Sequence, residues 1–217
     1  MDLIAHFNPT SSTQWVFLSL ILILFYIAFL KFNYTTQFSL ILKSSFSQKY
    51  SNQFLREESN SSNKLHLLPV FILSFTLFLS YQNPTMGYYA NLIFWVGLFF
   101  IAKYFCLIFL GYIFEKNYLF EEVIFQSFLY EKVVGVVLFP FTLILFYGPF
   151  QQEFMFRFIT IFLLLALLYK WLRMLFLSFF NSSLPKSHII IYLCTFEILP
   201  LIIITKHINQ VFLFFHF

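Results

Sequence analysis

The sequence predicts an all-α integral membrane protein, with about six transmembrane helices in one bundle and an in-plane interfacial helix beside them. Three observations carry that expectation. Of the 217 residues 60% are apolar and only 10% charged, and the mean hydropathy is +0.83, a balance that water-soluble domains do not reach. Apolar runs long enough to cross a hydrocarbon core recur along the chain, parted by short polar or Pro/Gly-containing stretches. Lys and Arg collect in alternate connections, the bias that cytoplasmic loops carry.

The first span is Gln14–Leu30, closed by Lys31, with Trp15 where an interfacial aromatic belongs. No basic n-region precedes it and no small-residue cleavage site follows, so it is expected to be retained rather than cut as a signal peptide. Asn33–Lys64 is the long polar stretch, read as a cytoplasmic loop with one short helix. Its tract Ser59–Asn63 has the composition of a flexible linker. The second span is Leu65–Tyr81, and Asn83-Pro84 followed by Gly87 turns it into the third, Tyr88–Phe114, which contains Lys103. Residues 115–132 mix Glu115, Glu121, Glu122 and Glu131 with bulky apolar side chains, the pattern of an in-plane connector. The fourth span is then short, Val133–Tyr147, interrupted by Pro140 and ended by Gly148-Pro149. The fifth is Phe154–Trp171 and the sixth His188–Thr205, closed by Lys206.

This alternation puts Lys31, Lys43, Lys49, Arg56, Lys64, Lys116, Lys132, Lys170, Arg173 and Lys186 on one side, and leaves Arg157 and Lys206 on the other. The expected topology has both termini outside the cytoplasm. The net charge of +4 is scattered among loops and forms no basic face, so the expected partner is the lipid bilayer and not nucleic acid.

Lys103 and Glu197 are the ionisable groups placed deepest in the predicted bilayer. A charge at the centre of a span costs about 2.5–3.5 kcal/mol even on lenient scales, so it usually faces the bundle interior and finds a partner. Counting along the helices, Lys103 lies about 16 Å and Glu197 about 14 Å from the cytoplasmic ends of their spans. The matching depths predict that the third and sixth spans pack with Lys103 facing Glu197. Three roles fit such residues: a structural ion pair, a lysine that snorkels beside a protonated Glu197, or a proton or ion pathway. Pro200 would loosen the helix beside Glu197, which transporters use and structural helices tolerate. Cys106 and Cys194 sit three residues from these charges within apolar runs, and no disulfide is expected.

Glu153 and Arg157 have i, i+4 spacing at the outer end of the fifth span, which reads as an interfacial ion pair. Gln152-Glu153-Phe154-Met155-Phe156-Arg157 also looks like a degraded Glu-Glu-x-x-x-Arg motif of the membrane-embedded prenyl-protein proteases. In that family a paired glutamate activates water with the help of histidines on later helices. Here Gln152 replaces the first glutamate, and the later histidine motifs are missing apart from Phe212–His216 at the extreme C-terminus. The five histidines fall at span ends or termini, which suits interfacial polar residues better than haem ligands. No phosphate loop, zinc-site motif or nucleophile elbow is present, so no catalytic residue, metal or cofactor is assigned. The 36 Phe residues are spread over every span and read as lipid-facing and packing residues.

The C-terminal stretch His188–Lys206 contains Tyr192-Leu-Cys194-x-x-Glu197-x-x-Pro200. It resembles the signature of an uncharacterised bacterial family of multi-span inner-membrane proteins of unknown function. The lysine-bearing third span, Gly111 and the Phe before the acidic connector are also similar, and the resemblance covers most of the chain after about Leu65. It implies a bacterial inner-membrane location and supplies no activity. On the residues alone the leading expectation is a non-enzymatic subunit or scaffold of a cell-envelope complex, assembled with other envelope proteins. The alternatives are a small transporter or ion pathway centred on Lys103 and Glu197, and a membrane enzyme using Glu153 or Glu197.

Overall fold

The computed structural model describes residues 12–45, 47, 49–51, 53–54, 67–81, 85–113 and 117–181. Every regular element among them is an α-helix: α1 Ser12–Asn33, α2 Thr35–Ser44, α3 Leu68–Ser80, α4 Met86–Ile113, α5 Asn117–Tyr147 and α6 Gln152–Asn181. The chain divides into two compact units at Leu164–Leu165. The first holds α1 to α5 and the first part of α6, and the described part of the second is the remainder of α6.

Four helices among the described residues are long and apolar enough to cross a membrane: Gln14–Asn33, Met86–Phe109, Ile124–Tyr147 and Gln152–Phe176. They mark this chain as a membrane protein. They correspond to the first, third, fourth and fifth predicted spans. The second becomes α3, which at 13 residues is about 20 Å long and falls short of a 30 Å hydrocarbon core. The sixth, with Tyr192, Cys194, Glu197 and Pro200, lies outside the described residues, as does Ser59–Asn63.

α3 is the buried centre of the first unit, packed by α1, α4 and α5. Pro69 occupies its first turn, where a missing N–H costs no hydrogen bond. Val70 and Leu77 join Val16 and Ile23 of α1 and Leu129 and Val133 of α5 in one apolar cluster. Phe78 joins Leu138 and Leu145 of α5 and Met155 and Ile159 of α6 in a second. The crossing of α3 on α5 is unusually close. A Cβ added to Gly135 would stand 2.5 Å from Phe71 Cα and 2.6 Å from its nitrogen, so only glycine lets the backbones meet there. Three hydroxyls inside the bundle are satisfied by their own helices: Thr76 Oγ1 donates to Ile72 O at 2.7 Å, Ser80 Oγ to Leu77 O at 2.8 Å and Thr142 Oγ1 to Phe139 O at 2.7 Å, whereas Ser74 Oγ, buried on α3, has no hydrogen-bond partner among the described residues.

Two regions differ from the sequence expectation. Where an in-plane connector over 115–132 and a short span over 133–147 were expected, the structure has one helix, α5, running unbroken from Asn117 through Pro140 to Tyr147, with its apolar span beginning at Ile124. Of the glutamates that suggested a headgroup-facing connector, Glu131 points inward instead. Gln126, Ser127, Tyr130 and Glu131 are all buried, and their spacing of four residues sets them on adjoining inner faces of one helix. The second difference is the polar stretch after α1. The short helix is there as α2, and the described part of the segment packs on the bundle rather than lying in solvent: Ile41, Ser44, Ser45, Ser51 and Phe54 are buried, and Ile41 and Phe54 belong to the main apolar cluster.

Candidate functional site

Two lysines among the described residues are buried within apolar spans, Lys103 at 1% and Lys170 at 2% exposed, and in the first unit Lys103 has a carboxylate against it. α4 and α5, joined through residues 114–116, pack along one another. That packing sets Lys103 against Glu131, with Nζ donating to Oε1 at 2.6 Å. Measured from Phe109 and Ile124, the ends of the two apolar spans, the pair lies about 10 Å inside. Phe128 lies one turn before Glu131, and its ring centroid is 5.4 Å from the ammonium. The Phe100 ring, one turn before Lys103, is 5.9 Å away. Both rings lend the cation their π-faces and keep the contact dry, which strengthens a charge-assisted hydrogen bond.

A polar belt adjoins the pair on α5. Gln126 Nε2 donates to Ser51 Oγ at 2.6 Å, and Tyr130 OH donates to Ser45 O at 3.4 Å. These two contacts hold Ser45 and Ser51 against α5. Gln126 Oε1 is buried without a hydrogen-bond partner. The unmet acceptor marks the belt as polar ground on an otherwise apolar helix.

The sequence singled out Lys103 but expected Glu197 opposite it; Glu197 lies outside the described residues, and the carboxylate set against Lys103 is Glu131. Glu131 was missed because it was counted with the acidic connector. A signal was available: Ser127 and Glu131, like Gln126 and Tyr130, recur at four residues within a run otherwise rich in Leu, Val and Phe, the mark of a polar stripe on a buried helix. Glu153 and Arg157 lie apart from this site on the first turns of α6. Their side chains are 59% and 62% exposed, with Arg157 Nη2 3.8 Å from Glu153 Oε2. Neighbouring Gln152 accepts a hydrogen bond from Tyr81 at 3.2 Å. Cys106 is half-buried, and among the described residues no three His, Cys, Asp or Glu side chains gather as a metal site would require.

The lysine-bearing α4, the polar stripe of α5 and the apolar helices around them make a pattern that can be set beside known families. The family described as Domain of unknown function (DUF4271) matches residues 16–208. The chain belongs to this family. The match begins in α1, well before the Leu65 limit of the resemblance read from the sequence, and runs past Pro200. It therefore takes in both Lys103 and Glu131 as well as the Tyr192–Pro200 signature. No curated protein and no solved structure matches the chain.

Proposed function

We propose that this DUF4271 chain is a non-enzymatic membrane subunit or scaffold that assembles with other proteins of a bacterial cell envelope, seated in the inner membrane with its N-terminus outside. The observation that carries this reading is the contrast between its inside and its flank. Inside, Lys103 is closed on Glu131 under two phenyl rings, an arrangement suited to fixing the register of α4 on α5 rather than to passing ions. On the flank, Phe94, Trp95, Leu98, Ile101, Phe105 and Phe109 form an exposed stripe along α4, rigid aromatic area of the kind that helix association uses. Glu153, exposed and beside Arg157, lacks the enclosed setting that an acid–base glutamate needs. Within the same proposal, Glu197 joins Glu131 around Lys103, whose three N–H donors can serve two carboxylates.

The test is purification of the tagged protein from its native membrane in mild detergent, with mass spectrometry of what accompanies it. Stoichiometric partners retained by wild type and lost in a Trp95→Ala/Phe105→Ala variant are the expected result. A lone, stable protein in both samples would sink the subunit reading and turn attention to transport.

A further inference from the structure

We infer that Lys43, Lys49 and Tyr50 form a binding surface for the headgroup of an anionic phospholipid. α1 reaches the end of its apolar span at Asn33, with Lys31 in its last turn and Phe32 85% exposed, which sets this end of the helix at the bilayer surface. α2 starts at Thr35 and turns its apolar side, Phe38, Ile41 and Leu42, onto the bundle. Thr36, Ser39 and Lys43, at i, i+3 and i+7, are left on the exposed side. Beyond α2, Ser47 N–H donates to Lys43 O and Ser51 N–H to Ser47 O, at 3.2 and 3.1 Å. The exposed Tyr50 is close to Lys43, whose ammonium sits 6.0 Å from the ring centroid. Lys49 is exposed beside it.

Two features set these lysines apart from an ordinary solvated surface. They are held in place, because Tyr130 binds Ser45 and Gln126 binds Ser51 from the buried face of α5. They are also uncompensated. Between Ser12 and Arg56 the sequence contains no Asp or Glu, and Lys31, Lys43 and Lys49 make no ion pair among the described residues, whereas Lys103 and Arg157 each do. Fixed positive charge without an ion pair among the described residues, at the level where a span leaves the hydrocarbon, complements a phosphodiester with no counter-cation of its own. Each such lysine contributes about a fivefold preference for an anionic over a zwitterionic surface.

The experiment is native mass spectrometry of the full chain released from nanodiscs holding equal amounts of phosphatidylglycerol and phosphatidylcholine. Wild type should retain phosphatidylglycerol at least about fivefold over phosphatidylcholine. Lys43→Gln/Lys49→Gln should lose that preference, Lys43→Arg/Lys49→Arg should keep it, and Arg157→Gln at the far end of the bundle should leave it unchanged. Equal retention of both lipids by wild type, as expected if the lysines serve an acidic protein instead, overturns the inference. So does a preference that survives the double glutamine variant, or one abolished by inorganic phosphate, which would make the site a phosphate site.

Discussion

Substituting Gly135 by alanine tests the architecture at its tightest point. The added Cβ would meet Phe71 Cα, N and Cβ at 2.5, 2.6 and 2.7 Å, whereas carbon atoms rest about 3.5–4.0 Å apart. Two of the three obstructing atoms belong to the α3 backbone, so no rotamer change relieves them, and the helices must part by about 1 Å. Overpacking of this kind costs about 1–3 kcal/mol. Alanine also gains about 1 kcal/mol in helix propensity, which would mask part of the loss. Gly97 on α4 supplies the correction, since a Cβ there meets nothing within 4 Å and gains the same propensity. Unfolding each variant with sodium dodecyl sulfate in mixed micelles, followed by circular dichroism, should find Gly135→Ala less stable than Gly97→Ala by about 2 kcal/mol. If the two differ by less than about 0.5 kcal/mol, the backbones of α3 and α5 do not touch at Gly135, and the packing described for them is wrong.

Other perturbations reach the buried polar groups. Lys103→Met alone strands the Glu131 carboxylate and should cost about 3–5 kcal/mol in the same unfolding assay, while Lys103→Met combined with Glu131→Leu should recover most of it. If the double variant is no better than the single, the pair contributes more than mutual neutralisation. Ser51→Ala leaves the Gln126 amide wholly without a partner and should cost about 1–3 kcal/mol, whereas Ser51→Ala with Gln126→Met should come out near wild type. Glu153→Gln should move stability by less than about 1 kcal/mol, as exposed ion pairs do, and a larger loss would give that glutamate a role the geometry does not.

The membrane character and the positions of the long spans were legible because lipid demands something a single sequence displays directly: about 20 apolar residues in a row. α1, α4 and α6 were recognised on that criterion, with ends shifted by a few residues. α5 was not recognised over its full length, because reading Glu131 as a mark of water is sound only when it faces water. Whether a polar group on an apolar helix looks outward or inward depends on the helices beside it, and here Lys103 of α4 takes in Glu131 and Ser51 takes in Gln126. The same dependence explains the site. Lys103 announced itself by depth alone, but its partner could be named only once α5 was known to continue through residues 124–133. The segment after α1 misled in the same way: its polar composition reads as a solvated loop, yet Ile41 and Phe54 anchor its described part to the core.

The brevity of α3 has a consequence for biogenesis. A 13-residue helix carrying Ser74, Thr76 and Ser80 on buried positions has little to gain from entering lipid by itself. Its best surface is α5, and the ribosome adds Gly135 only after the whole of α4 has been synthesised. α3 must therefore be sheltered at the translocon, or beside α4, for the seconds that this stretch of translation takes. Defects at the α3–α5 crossing should then show first as chains inserted with the wrong number of spans and cleared by membrane proteases, before any loosening of a finished bundle could be measured.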